Sequence, residues 1–393
     1  MSKRIISINL ILFSLFLGKC GFAGISENTT DLEPAFMRNY AEVKETIQDK
    51  TGISFGLNIS YMPQRLAPNG KKTAWQDIYS PSIEWKLFED MSLGSGSLSF
   101  NDIYTHYWAM EASELEEKAN VANSINNYTQ NANLFYKLTY THTLSGALDW
   151  ISLGAGQFSL FDFEGGIYTN DQQLGLINFA MSQNPTNTYP LASFGAYLTL
   201  SPKVPFEITA GYQDANNISG KDLQIDTIFN GNYLAFISVE YSPQFEKFGE
   251  GAYAFLTYYQ PAVEEQDQYS WGWSLNTEQH LSDKWLILLR ASGGENTLNA
   301  LKQSYMAAVG YKNPLNRNPV DAVIFGIAYN RIEKSNLEDF ALDAGESAYE
   351  LQWIWGISRW LTITPDMQFY PRAAFNSDTN TVLVSGIRFT FML

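Results

Sequence analysis

The chain has 393 residues, 25 Lys and Arg against 41 Asp and Glu, and a formal charge of −16 at neutral pH. Aromatic residues make up 15 % and charged residues only 17 %, so it is too rich in order-promoting side chains for a disordered acidic linker and too poor in Lys/Arg clusters for a nucleic-acid binder. Three His and one Cys, none at ligand spacing, supply no metal or cofactor site and no disulfide framework.

Residues 1–23 begin with Lys3 and Arg4, run mainly apolar from Ile5 to Leu17, and close on Gly21-Phe22-Ala23. This is the layout of a secretory signal peptide cut after Ala23. Cys20 lies within it, and Lys19 stands where a lipoprotein signal needs a small residue. After Ala23 no run of 18 apolar residues occurs. A membrane-resident mature chain must then be a closed β-barrel, the other fold that satisfies every backbone group in lipid.

Segment 24–51 reads as a periplasmic helical segment. Phe36, Tyr40, Val43 and Ile47 recur at helical spacing and predict an amphipathic helix around 35–49, packed on the inner wall or rim of the barrel and stopped by Gly52.

From residue 52 to 393 the apolar period is two. Ile53, Phe55, Leu57, Ile59 and Tyr61 alternate with small or polar residues, as do Ile83/Trp85/Leu87, Phe206/Ile208/Ala210/Tyr212, Tyr269/Trp271/Trp273/Leu275, Tyr349/Leu351/Trp353/Trp355 and Leu361/Ile363/Pro365/Met367/Phe369. Strands are expected at 52–63, 79–88, 94–108, 133–143, 147–159, 190–200, 204–215, 232–243, 250–260, 267–279, 285–293, 302–312, 320–331, 345–357, 360–370 and 380–393. The gaps alternate between long (109–132, 160–189, 216–231, 332–344) and short (89–93, 144–146, 201–203, 358–359), as outer loops and inner turns do. A soluble sandwich also alternates, but here large aromatics sit near the strand ends of the apolar face while the other face is small and hydrophilic. The fold class is all-β: a transmembrane antiparallel barrel of about sixteen strands with a short N-terminal helix. Gln172–Ala180 belongs to the third loop, because a strand there would break the even count.

Three C-terminal stretches carry a resemblance: Glu346-Ser347-Ala348-Tyr349-Glu350-Leu351, Leu361-Thr362-Ile363-Thr364-Pro365-Asp366-Met367-Gln368 and Ser385-Gly386-Ile387-Arg388. With Glu45–Ile53 and the run from Phe179-Ala180 to Gly195-Ala196, they resemble the carbohydrate-selective porin family of OprB type. The resemblance implies a bacterial outer-membrane barrel passing small sugars by diffusion, without catalysis. It departs at Gly156-Gln157, where the family tends to show Gly-Arg; this implies a less positive lumen.

By alternation the lumen receives Glu84, Lys86, Lys137, Glu207, Glu240, Glu278, Arg290, Glu350, Asp366, Gln368 and Arg388. Mixed donors and acceptors suit sugar hydroxyls, and they also suit cross-strand pairs that brace the wall. Loop 160–189 is the expected constriction, with Asp162 and Glu164 facing basic residues drawn from Lys86, Lys137, Arg290 and Arg388. His106, His142 and His280 fall near strand ends without a triad partner. Acidic outer loops (Glu111–Glu117, Glu264–Asp267 and 332–346) are solvated faces or contacts to cations bridging lipopolysaccharide. The expected partners are small sugars, outer-membrane lipid with lipopolysaccharide, and the barrel assembly machinery that reads the apolar C-terminal strand, with no nucleic acid. Homo-oligomerisation stays open. The alternatives are a general diffusion porin and a plugged scaffold or adhesin.

Overall fold

The computed structural model describes residues 35–67, 72–296, 301–332, 345–375 and 381–393. The expected signal peptide, with Cys20, and most of the acidic stretch 332–346 lie outside the described residues.

A helix, α1 (Ala35–Thr51), leads into sixteen long strands: β1 (Ile53–Ala67), β2 (Thr73–Asp90), β3 (Gly94–Tyr107), β4 (Ala132–Thr143), β5 (Ile151–Phe158), β6 (Ser193–Leu200), β7 (Phe206–Asp214), β8 (Tyr233–Tyr241), β9 (Gly249–Gln260), β10 (Ser270–His280), β11 (Trp285–Glu295), β12 (Leu301–Lys312), β13 (Ala322–Ile332), β14 (Gly345–Ser358), β15 (Leu361–Tyr370) and β16 (Val382–Met392). A two-residue pairing, Gln244–Phe245 with Gly249–Glu250, only extends the turn between β8 and β9. Two short helices lie in loops, α2 (Ala112–Ala119) after β3 and α3 (Phe179–Ser182) after β5.

Every strand pairs antiparallel with its neighbours in sequence, and β16 returns to pair with β1 through Asn58↔Met392 and Tyr61↔Phe389. The sheet is thus closed, and closure removes the unpaired edge that lipid cannot satisfy. Leu57 and Leu393 exchange both backbone hydrogen bonds at 2.9 Å, so the last residue of the chain is itself sewn into the seam.

The sequence expectation places all sixteen strands within a few residues, except at the first hairpin. Residues 64–67 and 73–78 were expected in a loop and continue β1 and β2, paired from Gln64↔Ala74 to Arg65↔Thr73. Pro63 is the misleading signal: it has no N–H to donate, and the strand accommodates it because pairing with β16 is interrupted there, between Tyr61↔Phe389 and Gln64↔Gly386.

The outward face carries the expected aromatics, among them Tyr61 5.6 Å from Trp75 and Trp285 4.6 Å from Tyr311, ring centroid to centroid. Helix α1 meets the barrel at a sharp corner. Gly52 has φ +71°, and a Cβ there would stand 2.5 Å from the Lys86 carbonyl oxygen, so only glycine fits. The helix lies at the rim beside the chain end, where Met37, Tyr40, Lys44, Gln48, Trp360 and Leu393 line a groove of about 310 Å³. The face turned to the rim therefore differs from the expected stripe. Tyr40 belongs to it, but Val43 is 54 % exposed, and the side chain of Phe36 lies outside the described residues.

Candidate functional site

Loop 3, residues 159–192, leaves β5 and crosses the lumen before it returns to β6. Its first turn is a short 3-10 helix, Leu160–Phe163, capped by the Ser159 hydroxyl, which accepts from Phe161 N at 3.3 Å. Gly165 and Gly166 then turn the chain downward with φ of +66° and +89°. A Cβ on Gly166 would stand 2.6 Å from Asn276 Nδ2, so the turn is pressed against β10.

The wall holds this loop by its backbone. Glu278 accepts from Ile167 N at 2.8 Å, and Asn276 Nδ2 donates to the Gly165 carbonyl at 2.7 Å. Arg290 donates to the Thr169 carbonyl. Arg388 donates to the carbonyls of Gln172 and Gly175, the latter at 2.9 Å, and to Thr364 Oγ1 at 3.2 Å. Glu350 takes Ile177 N at 2.8 Å and Asn178 N at 3.0 Å, one on each oxygen. The Asn178 amide donates to Gln368 Oε1 at 3.0 Å and Tyr370 Oη at 2.7 Å. Asp366 accepts from Gln368 Nε2 at 3.1 Å. Glu164 Oε1 accepts from Asn184 and Tyr189 within the loop and from Ser274 on β10, at 2.9–3.0 Å. Burial raises the Glu164 carboxyl above its ordinary value, with the charge of Arg290 and these three donors opposing.

Glu278, Arg290, Glu350, Asp366, Gln368 and Arg388 therefore point inward as the alternation requires, yet all six are buried. Glu278, Arg290, Glu350 and Arg388 spend their polar heads on the backbone of loop 3. Gln368 donates to the Ile125 carbonyl of the preceding loop and accepts from the Asn178 side chain, and Asp366 meets Gln368 on its own strand. The physical reason is that an inserted loop carries peptide groups out of water, and each buried N–H and C=O needs a partner.

Loop 2, residues 108–131, is tied down in the same way. Glu346 accepts from Ala122 N, Asn123 N and Ala374 N at 2.9–3.0 Å. Asn126 Nδ2 donates to Gln64 Oε1 at 2.7 Å. The two loops also meet, since Asn127 N donates to Gln172 Oε1 at 2.5 Å.

An apolar contact completes the anchoring. The luminal faces of β11 to β14 bear Leu286, Leu288, Met306, Ile324, Ala328 and Ile354, all buried in one cluster with Leu176, Ala180 and Met181 of loop 3. A Cβ at Gly326 would come 2.8 Å from Met181 Sδ. This greasy patch was missed in the sequence reading, and its signal was present. Trp285-Leu286-Ile287-Leu288-Leu289 is apolar without alternation, the mark of a strand covered on both faces.

The remaining charged positions stay accessible. Lys137 Nζ stands 3.0 Å from Asp162 Oδ2, with side chains 30 % and 21 % exposed, and Tyr136 Oη donates to the other Asp162 oxygen at 3.0 Å. Of the four basic residues expected opposite the loop acids, Lys137 thus meets Asp162 and Arg290 lies near enough to Glu164 to favour its charge. Lys86 does not take part; it pairs with Glu89 on its own strand at the rim. Glu84 accepts from Ser99 Oγ at 2.5 Å. Glu207 and Glu240 face each other across β7 and β8, both half-buried. Ser54, Asn58, Ser97, Ser99 and Asn101 share this more open side. His106 and His142 point outward, near Asp77 and Tyr140, away from the lumen.

A closed sixteen-stranded barrel with an apolar girdle outside and a polar loop folded through its lumen defines the class of outer-membrane diffusion channels. Residues 221–393 match the carbohydrate-selective porin, OprB family. Porin AaxA of Chlamydia pneumoniae is 32 % identical over 87 % of this chain and 80 % of its own length. Porin AaxA of Chlamydia felis is 30 % identical over 89 % and 80 %. The high-pH structure of Pseudomonas putida OprB superposes with a TM-score of 0.75 at 12 % identity, over 90 % of this chain and 97 % of that one. The chain belongs to the carbohydrate-selective porin family of OprB type, and it is an outer-membrane porin for sugar diffusion.

Proposed function

We propose that solutes cross on the side of the lumen bounded by β2 to β8, past the Lys137–Asp162 pair, while loop 3 occupies the side bounded by β10 to β16. The observation that carries this is the division of charged residues. Lys137, Asp162, Glu84, Glu207 and Glu240 keep solvent access, and the six wall residues beneath loop 3 do not. A sugar offers hydroxyls that both donate and accept, so a path with one ammonium, several carboxylates and serine hydroxyls fits it. Acidic groups outnumber the single Lys137 along this path, which favours neutral and mildly cationic solutes over anionic ones.

Transport on this reading is passive, in the outer membrane of a bacterial cell, and no bond is made or broken. The apolar C-terminal strand, ending Phe389-Thr390-Phe391-Met392-Leu393, is the feature the assembly machinery would recognise, and the acidic outer loops would meet cations that bridge lipopolysaccharide.

Liposome swelling with a small sugar and a size-matched neutral amino acid tests selectivity. Faster swelling with the sugar is expected; equal rates would make the channel a general diffusion pore. Single-channel recording is expected to show a stable conductance that sugar titration reduces. No conductance from a folded barrel would make it a plugged scaffold.

A further inference from the structure

Among the described residues, the apolar cluster beside the Lys137–Asp162 pair leaves one of its rings accessible. Phe158 of β5, Phe161, Phe163 and Tyr189 of loop 3, Phe236 of β8 and Tyr258 of β9 are all buried in it. Tyr197 of β6 packs against them and stays half-buried. Its ring centroid lies 4.9 Å from that of Phe158 and 5.3 Å from that of Phe163, near perpendicular to both at 79° and 74°. Phe163 follows Asp162 in the chain, so the residue that pins the ring adjoins the one that meets Lys137. Lys137 also lies within electrostatic reach of Tyr197 and of Glu84.

On both neighbouring strands the residue opposite this ring is glycine, Gly154 on β5 and Gly211 on β7. A Cβ at Gly154 would come 2.1 Å from Tyr197 Cζ and 2.5 Å from both Cε atoms, so the ring lies over that glycine. A Cβ at Gly211 would come 2.7 Å from Tyr197 Cβ. Glycine within a strand marks a place where something approaches the backbone closely, and here it is the ring. Ala196 and Leu198 point the other way, with Leu198 39 % exposed on the outward surface. The access left to Tyr197 is therefore on the luminal side.

Burial alone would be served by an aliphatic side chain, as at Leu234 and Leu256 of the same cluster. A ring does something more. Its face carries the negative part of the quadrupole and attracts slightly positive C–H hydrogens. A sugar in its ring form presents such hydrogens together on one flat side, and its rim of hydroxyls both donates and accepts. An open-chain polyol has the hydroxyls without the flat side, and a neutral amino acid has neither.

We propose that Tyr197 is a stacking platform for ring-form sugars, with Lys137 and Asp162 meeting the hydroxyls at the rim, and that it makes the channel prefer a pyranose to an open-chain solute of similar size. The proposal rests on the reading of the β2 to β8 side as the path.

The test is block of the ionic current in planar bilayers by methyl β-glucopyranoside, whose ring cannot open, and by mannitol, an open-chain solute of similar size. In the unmutated channel the glucoside should reach half-block at a concentration about fivefold lower than mannitol does. Tyr197→Leu should raise the glucoside value to that of mannitol, whereas Tyr197→Phe, which keeps the ring, should keep the difference. Equal values for the two solutes in the unmutated channel, or a glucoside value that Tyr197→Leu leaves in place, would overturn the proposal. The first comparison needs no variant, so it decides the matter even if Tyr197→Leu fails to fold. The path itself is tested with Ser99→Cys in the full chain, whose natural Cys20 lies in the expected signal peptide. Labelling with a charged methanethiosulfonate, verified by mass, should lower conductance. Lowered conductance together with block that ignores Tyr197→Leu counts against the platform alone. Unchanged conductance after labelling counts against the path, and the platform falls with it.

Discussion

Asp162 on the loop and Lys137 on the wall form an ion pair at 3.0 Å. Both keep some solvent access, so their attraction is partly screened and adds little to stability, within about 1 kcal/mol. Their effect on passing charge is direct. Asp162→Asn removes a negative charge and leaves the Lys137 ammonium unopposed. The reversal potential across a salt gradient should move toward anion preference while the melting temperature hardly changes. A large loss of stability with unchanged selectivity would mean that the pair only fastens the loop. Glu116 behaves differently, because α2 lies outside the barrel strands. Burial, with the charge of Glu346 adding to it, pushes its carboxyl from 4.5 up to about 7, although Ile125 N donates to it at 2.8 Å. The folded protein thus holds a proton between those values that the unfolded chain releases, and the stability this supplies is lost as pH rises through the folded value. Proteolytic nicking within residues 109–131 should therefore be faster at about pH 8 than at about pH 5, and Glu116→Gln should flatten the difference. A rate in the unmutated protein that is the same at both would remove the carboxyl from the account.

At the scale of a strand, the two faces of β1 meet different solvents. Leu57 belongs to the outward set and Asn58 to the half-buried luminal set. Leu57→Arg should cost roughly 2–4 kcal/mol near the midplane, because a guanidinium cannot be hydrated in lipid. Asn58→Arg, one residue along, should fold and alter conductance. Similar outcomes at both positions would shift the register by one. The contrast fails as a general rule on β10, where Ser274 is inward but donates to Glu164 at 2.9 Å beneath loop 3. An arginine there would displace the loop before it reached any solute. Inward orientation follows from alternation, whereas access to the pore depends on what else has entered the lumen.

For the whole molecule, the largest effect should come from loop 3. Removing Gly165–Gln173 takes away the Thr169 carbonyl bound by Arg290, one of the two carbonyls bound by Arg388, and the N–H groups bound by Glu278. The lumen of a sixteen-stranded barrel is wide once unobstructed. Conductance should rise and discrimination between sugars should flatten, measured in planar bilayers. Some destabilisation is also expected, since buried charges lose their partners. Unchanged conductance in a folded deletion would place the filter elsewhere.

Strand number, order and facing were legible in the sequence, because lipid outside and polar groups inside impose a period of two that a one-residue slip would reverse. The helix before β1 and the inserted loop after β5 were legible as well, the first from its spacing and its glycine stop, the second from its length and its paired glycines. The first hairpin was under-read, because Pro63 and the charged turn beyond it look like a loop until a partner strand is present to pair with them. The use of the luminal charges was not legible. Glu350 and Arg388 look identical to solute-binding residues in one dimension. Only the tertiary path of loop 3, 172 positions from Glu350 at Asn178 and 216 from Arg388 at Gln172, turns them into partners for buried peptide groups. Alternation is local physics and is written in adjacent residues. Which side of the lumen stays wet is decided by contacts between residues far apart in the chain, whose cost and gain appear once the barrel has closed around them.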